Sequence, residues 1–257
     1  MILDTIVEKK KEEVAQLHKS GILLPEQFRE KEIAAPRGFI RALTEYVGVS
    51  IIAEAKKASP SKGVISPDFD PVAIAVNYEK CGAQALSVLT DVDFFQGQLL
   101  YLMQVREAVK LPVIRKDFII DSLQVREAQA HGADAILLIA AILDLYQLRD
   151  LRQQAEQYDM DVLVEVHNEQ ELEVTLESGA ALVGINNRNL KDFTMDLNTT
   201  FRLKKLIPEG TPVVSESGLK SKEDIDRLAD EGIAAALIGE SLMRAGSSGT
   251  LLSELRS

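Results

Sequence analysis

Residues 131–140 read HGADAILLIA: a glycine, a small residue, one acidic residue, then an aliphatic run too short for a helix and opened by a turn signal. The phrase recurs as CGAQALSVLT (81–90), SGAALVGIN (178–186) and EGIAAALIGE (231–240). Its glycine thus returns at Gly82, Gly132, Gly179 and Gly232, a repeat of roughly 50 residues. A glycine there suits the left-handed position just past a helix, where the chain turns into the next strand. Between these phrases lie SIIAEA from Ser50, PVIRKD from Pro112, VLVEV from Val162 and PVVSES from Pro212. Each unit therefore carries two strands, each followed by a longer amphipathic stretch, and four units give eight. A doubly wound open sheet uses the same alternation. Eight near-evenly spaced strands in the length of one domain fit closure better, so the expected fold is an α/β (β/α)8 TIM barrel.

The chain has 257 residues, a common length for a single barrel, so one domain spanning 1–257 is expected. Residues 1–48 differ from the rest. Ile2, Ile6, Val14 and Leu17 make a partial helical stripe among lysines and glutamates, and Pro25 and Pro36 follow, so this part reads as a helical extension packed on the barrel. Hydrophobic residues make up 46% and charged residues 27%, which excludes disordered and fibrous classes. A net charge of −11 sets the surface against nucleic acid, and any anionic ligand needs a local cationic pocket. Cys81 is the single cysteine and His18, His131 and His167 lack metal-ligand spacing, so a cytoplasmic protein without structural metal is expected. The charged N-terminus lacks the apolar core of a signal peptide, and no apolar run is long enough to span a membrane.

In such a barrel the reacting groups come from the C-terminal ends of the strands. Those ends are Glu54, Thr90, Lys116, Ala140, Glu165, Asn186, Ser217 and Gly239. Two carboxylates and a lysine at one mouth point to proton-transfer chemistry, because an unpaired polar residue ending an apolar run costs stability. Lys56 shares the direction of Glu54, whereas Lys57 points away. The long loop KKASPSKGVISPDFDP offers Ser59 as a ligand donor and Ser61 as a turn residue. Ser217-Gly218 after the seventh strand and Gly239, with a helix starting at Glu240, form the expected phosphate site, held by backbone N–H groups. The Glu240 side chain is expected to turn to solvent. Arg188, in the loop opened by Asn187, Arg188 and Asn189, suits a substrate carboxylate. His167 reads as a polar loop residue. Phe94-Phe95 and Phe118 offer walls for an aromatic pocket.

Taken in order, IIAEAKKASPSKG, SVLTDVDFFQG, VIRKDFIID, LVEVHN, GINNRNL, VSESG and LIGESLMR resemble the indole-3-glycerol phosphate synthase family over nearly the whole chain. Ala55 departs from the larger aliphatic residue usual there. The resemblance implies ring closure of 1-(2-carboxyphenylamino)-1-deoxyribulose 5-phosphate with loss of carbon dioxide and water, without a metal or organic cofactor. It implies that the helical extension folds over the barrel mouth. It further implies Lys116 as general acid, Glu165 as base and Lys56 as an alternative acid for dehydration, with Glu54 and Asn186 orienting them. Ser217, Gly218, Gly239 and the amide of Glu240 would anchor the phosphate. Arg188 and Ser59 would contact substrate, and Leu89, Phe95, Phe118 and Leu137 would enclose the anthranilate ring. The partner is then a small molecule, and a monomer is expected. Two other readings are a different sugar-phosphate barrel, such as an isomerase with another acid–base pair, and a phosphate-ligand sensor lacking at least one strand-end ionisable group.

Overall fold

The computed structural model describes residues 2–189, 193–246 and 250–256. Leu190, the last residue of GINNRNL, lies outside them, as does part of the C-terminal tail. Eight parallel strands close into a barrel: β1 Ser50–Ala55, β2 Ala85–Leu89, β3 Val113–Lys116, β4 Ala135–Ile139, β5 Asp161–Val166, β6 Val183–Asn186, β7 Val213–Glu216 and β8 Ala235–Ile238. β1 closes the ring by pairing with both β2 and β8, with Ile52 opposite Ala85 on one side and Leu237 on the other. The eight strands fall on the eight apolar runs.

Local signals set where the intervening helices start and stop. Asp70 caps the helix Pro71–Lys80 through two backbone N–H groups, with proline in the first turn. Capping boxes open Ser122–Ala130 (Asp121 with Gln124), Leu145–Gln157 (Asp144 with Gln147) and Lys222–Asp230 (Ser221 with Asp224). Gly82, Gly132, Gly179 and Gly232 all take positive φ one residue past a helix's C-cap, as the repeat requires.

Strand alternation divides the side chains into two cores. One set, including Ile51, Leu86, Val164 and Val183, packs outward against the helices. The other fills the lumen: Ile52, Ile114, Leu163 and Val214 from the odd-numbered strands, with Ala85, Ala135, Leu137, Ala235 and Leu237 from the even ones. Two residues further along each odd strand the lumen positions become Glu54, Lys116, Glu165 and Glu216, so a layer of four ionisable side chains caps the apolar core.

The N-terminal segment works at both ends of the barrel. The helix α1 (Ile2–Ser20) lies at the mouth, where Ile2, Leu3 and Ile6 line the cavity. A second helix, α2 (Phe39–Thr44), closes the opposite end: Phe39 and Leu43 are buried and join the lumen core. The backbone N–H of Ile40 donates to Asp161 at 2.8 Å, and Ser50 Oγ donates to the Leu43 carbonyl at 2.8 Å. On α1 the expected stripe is only partly buried. Ile6 is buried, Ile2, Val14 and Leu17 are half-buried, and the gap at position 10 is filled by Lys10, 2% exposed.

Several expected boundaries shift. β7 ends at Glu216 rather than Ser217, because Ser217 takes a left-handed φ of 68° that no strand accommodates. β2 ends at Leu89, and Thr90 turns from the lumen to donate to Asp117 at 2.5 Å. Ala140 begins a 3-10 turn. The long first βα loop contains a short antiparallel hairpin pairing Ala58–Ser59 with Gly63–Val64.

Candidate active site

Lys116 Nζ stands at the centre of the ionisable layer, 2.6 Å from Glu216 Oε2 and 3.0 Å from Glu165 Oε2. Burial alone would depress the lysine's pKa, but Glu165, Glu216 and Glu54 outweigh it and hold the ammonium well above its ordinary value. Glu54, also buried, lies 2.7 Å from Lys56 Nζ and accepts from Ser87 Oγ at 3.1 Å. Burial pushes its pKa up, and Lys56 and Lys116 bring it below the ordinary value.

Two carboxylates share Lys116, and they are not equivalent. Glu165 is desolvated, yet Lys116 and His167 hold its pKa far below the usual carboxylate range, helped by Asn186, whose Nδ2 donates to Oε1 at 3.1 Å. Glu216 is pushed up to about 7 by burial, with Glu165 and Glu54 adding like-charge repulsion that Lys116 only partly offsets. Its Oε1 is buried without a hydrogen-bond partner among the described residues, which favours a proton there. The arrangement gives one firmly ionised carboxylate and one that exchanges a proton near neutrality on either side of one ammonium.

Two glycines make the layer possible. A Cβ on Gly184 would collide with Glu216 Oε1, and one on Gly239 would come within 2.6 Å of Glu54 Oε1. Gly239, expected as a phosphate residue, thus also makes room for a carboxylate.

The layer floors a cavity of about 160 Å³. Its apolar walls include Leu89, Phe95, Phe118 and Leu137, and the Phe95 and Phe118 rings are tilted by 37° with centroids 6.0 Å apart. Ser59, Asn186, Arg188 and Ser217 line it too, as does Ser61, expected only as a turn residue. An open groove of about 510 Å³ shares Glu54, Lys56, Arg188, Ser217 and Glu240 with the cavity and runs to Gly218, Gly239 and Ser241. Ser217 and Gly218 both take positive φ, 68° and 87°, a turn that costs Ser217 about 1–2 kcal/mol and needs support. Asn187 supplies it: its Nδ2 donates to the carbonyls of Glu216 at 3.0 Å and Ser217 at 3.1 Å. Asn187, the first loop residue after β6 as expected, is therefore also a buried brace to the turn after β7.

Glu240 departs from expectation. Its carboxylate does not turn to solvent but lies between Arg244 Nε at 3.0 Å and Arg188 Nη2 at 3.7 Å, because the two guanidinium groups draw it back. His167 also departs. It is wedged between two carboxylates, with Nε2 3.3 Å from Glu165 Oε1 and Nδ1 3.0 Å from Glu171 Oε2. Burial lowers its pKa, but the two glutamates win and push it up to about 10.

Glu216, Ser87 and Asn187 belong to the site although the polar strand ends do not point to them. The signal for Glu216 was the two-residue step from the apolar Val214, the same step that leads from Ile52 to Glu54 and from Leu163 to Glu165. Among the described residues no group of three or more His, Cys, Asp or Glu could hold a metal ion, and no helix is long and apolar enough to cross a membrane.

Solved structures share the fold at low identity. KGPDC from Streptococcus mutans aligns with a TM-score of 0.64 at 13% identity, covering 82% of this chain and 96% of that one. Thiamine phosphate pyrophosphorylase from Pyrococcus furiosus gives 0.62 at 15%, covering 84% and 96%. Sequence relatives are much nearer. The indole-3-glycerol phosphate synthase of Desulfotalea psychrophila is 66% identical over 254 residues, 99% of this chain and 98% of that one. The enzyme of the same description from Chlorobium phaeovibrioides is 51% identical over 256 residues, covering 99% and 96%. The family model described as indole-3-glycerol phosphate synthase matches residues 3–255. With that match spanning the barrel and its N-terminal helices alike, the chain belongs to the indole-3-glycerol phosphate synthase family.

Proposed function

We propose a division of labour among these residues for the ring closure that this enzyme of tryptophan biosynthesis performs. The reaction takes 1-(2-carboxyphenylamino)-1-deoxyribulose 5-phosphate to indole-3-glycerol phosphate, with loss of carbon dioxide and water. The observation that carries the assignment is the placing of Lys116 Nζ 3.0 Å from Glu165 and 2.6 Å from Glu216, beneath a cavity with apolar walls.

In the first step the ring carbon bearing the carboxylate attacks the sugar ketone, and negative charge builds on the ketone oxygen. Lys116 donates a proton to that oxygen. An alkoxide is far more basic than an amine, so the transfer is downhill even from a lysine whose ammonium is stabilised. Loss of carbon dioxide then restores the aromatic ring, the electrons of the carbon–carboxylate bond returning to it. In the second step the new hydroxyl leaves as water, protonated by Lys56 or by Lys116 recharged from Glu216, while Glu165 takes the proton from the neighbouring carbon of the new ring. Glu54 holds Lys56, and Asn186 fixes the carboxylate plane of Glu165.

Leu89, Phe95, Phe118 and Leu137 hold the anthranilate ring and exclude water, which strengthens every charge interaction in the layer. Arg188 exchanges its long contact with Glu240 for a substrate carboxylate, with Ser59 as a further contact. Ser217, Gly218, Gly239 and the Glu240 amide receive the phosphate in the groove. We take the enzyme to be a single folded unit, with residues 1–48 as its covering extension, and to work as a cytoplasmic monomer on a small molecule; its acidic surface and lone cysteine fit that reading. The test is a metal-free, cofactor-free assay of indole formation with substitutions at Lys116, Glu165 and Arg188.

A further inference from the structure

Lys10 is an unusual choice for the inner face of a covering helix. It is 2% exposed, and its Nζ lies 2.8 Å from Asp91 Oδ2, 2.9 Å from Asp117 Oδ1 and 2.7 Å from Glu13 Oε2. An apolar residue would dock α1 without the desolvation that a buried ammonium and two buried carboxylates incur. Docking alone has other anchors, since Ile6 is buried in the barrel, Lys9 reaches Asp93 and His18 reaches Asp121.

What sets the cluster apart is what its carboxylates hold. The other oxygen of Asp91 accepts the backbone N–H groups of Phe94 at 2.8 Å and Phe95 at 3.1 Å. Asp117 Oδ1, besides meeting Lys10, accepts the N–H of Phe118 at 2.8 Å, and Oδ2 is taken by Thr90 and Arg115. One nitrogen on α1 thus meets both carboxylates that shape the turns after β2 and β3. Those turns carry Phe95 and Phe118, and α1 itself supplies Ile6 to the same cavity. Without the ammonium, Asp91 is a buried carboxylate with no other ion-pair partner among the described residues, beside an Asp117 that keeps Arg115, and the two turns lose the one charge that ties them together.

We propose that Lys10 is a positioning residue for the aromatic-ring pocket, locking α1 and the turns bearing Phe95 and Phe118 into one wall. This rests on the assignment of those two rings to the anthranilate moiety. Lys10 touches no reacting atom, so its loss acts on capture of the ring more than on proton transfer at Lys116.

The test is a double-mutant cycle on KM, using the full-length protein and the carboxyphenylamino substrate, with melting curves to confirm that each variant is folded at the assay temperature. Phe118→Ala should raise KM about fivefold, the scale of losing one aromatic contact, and Lys10→Met should do the same with a smaller change in kcat. The double variant should be no worse than Phe118→Ala alone, because both remove the same wall. Lys10→Arg should restore most of the loss. Should Lys10→Met fail to fold, Asp91→Asn replaces it in the cycle, since an asparagine Oδ1 still accepts from Phe94 and Phe95 while the ion pair is lost. A folded Lys10→Met with unchanged KM, or KM effects that multiply in the double variant, overturns the proposal and leaves Lys10 a structural anchor. An unchanged KM in Phe118→Ala alone instead defeats the ring-pocket assignment and the Lys10 role with it.

Discussion

Lys116 Nζ and Glu216 Oε2 are 2.6 Å apart, closer than Lys116 is to Glu165, although Glu165 is the more firmly ionised partner. The shorter contact belongs to the carboxylate that carries a proton part of the time, so Lys116 sits beside a group able to return a proton to it within a turnover. Glu216→Gln keeps a hydrogen-bond acceptor and removes this exchange. It should lower kcat by about tenfold or more, within the range of general acid–base contributions, with KM little changed. Steady-state kinetics check this, and a wild-type kcat would remove Glu216 from the proton path.

The same substitution has a stability signature. Glu216 has a folded pKa of about 7, above the unfolded value of about 4.3, so the stability it lends is present below pH 4.3 and is lost as pH rises through 7. The melting temperature of Glu216→Gln relative to wild type should therefore climb between about pH 4.5 and 7.5 and then level off. A pH-independent difference would mean that Glu216 is ionised throughout.

His167 should titrate well above an ordinary surface histidine. Its folded pKa, about 10, lies above the unfolded value of about 6.5, so its contribution is complete below 6.5 and disappears as pH rises through 10. Wild type should be more stable than His167→Gln at pH 6, with the gap closing towards pH 10. Ring-proton shifts followed by NMR give the pKa directly, and titration near 6.5 would contradict the double carboxylate contact with Glu165 and Glu171.

Gly184→Ala and Gly239→Ala should each reduce turnover by about 10² while leaving a folded barrel, because the added methyl group displaces Glu216 in one case and Glu54 in the other from the reacting geometry. Circular dichroism and activity measured together separate this outcome from unfolding. Near-wild-type activity in either variant would show that its carboxylate position tolerates displacement.

Arg188→Ala should act mainly on binding. Losing a charge-assisted contact to a substrate carboxylate should raise KM about tenfold or more with a smaller fall in kcat. A loss confined to kcat would place Arg188 in the chemistry rather than in the anchoring of substrate.

Much of this architecture is readable in the residues themselves. Gly82, Gly132, Gly179 and Gly232 mark helix ends because few other residues adopt positive φ cheaply, and the strands between them are bounded runs of branched side chains. Glu54, Lys116 and Glu165 stand out because a charge ending such a run demands a reason. Glu216 is hidden because a serine and a glycine follow it and the apolar run reads as ending at Ser217; counting in twos from Val214 recovers it. Lys10 was invisible for a different cause. A lysine within a lysine- and glutamate-rich helix reads as solvated, and its partners Asp91 and Asp117 lie far along the chain from it, after two neighbouring strands that α1 meets only in the assembled barrel. His167 depends likewise on Glu171, one helical turn further on, which propensity alone does not turn inward. Local chemistry shows in local sequence, whereas burial of a charge is a property of the assembled fold.

The most direct test of the central claim is single-turnover formation of indole-3-glycerol phosphate from 1-(2-carboxyphenylamino)-1-deoxyribulose 5-phosphate, followed by indole fluorescence, with wild type and Lys116→Ala side by side. Rapid formation by wild type and a fall of ~10² or more in the variant, with substrate still bound, is the result expected of the principal acid. Comparable rates from the two proteins would contradict the role of Lys116, and with it the reading of the charged layer as the seat of the reaction.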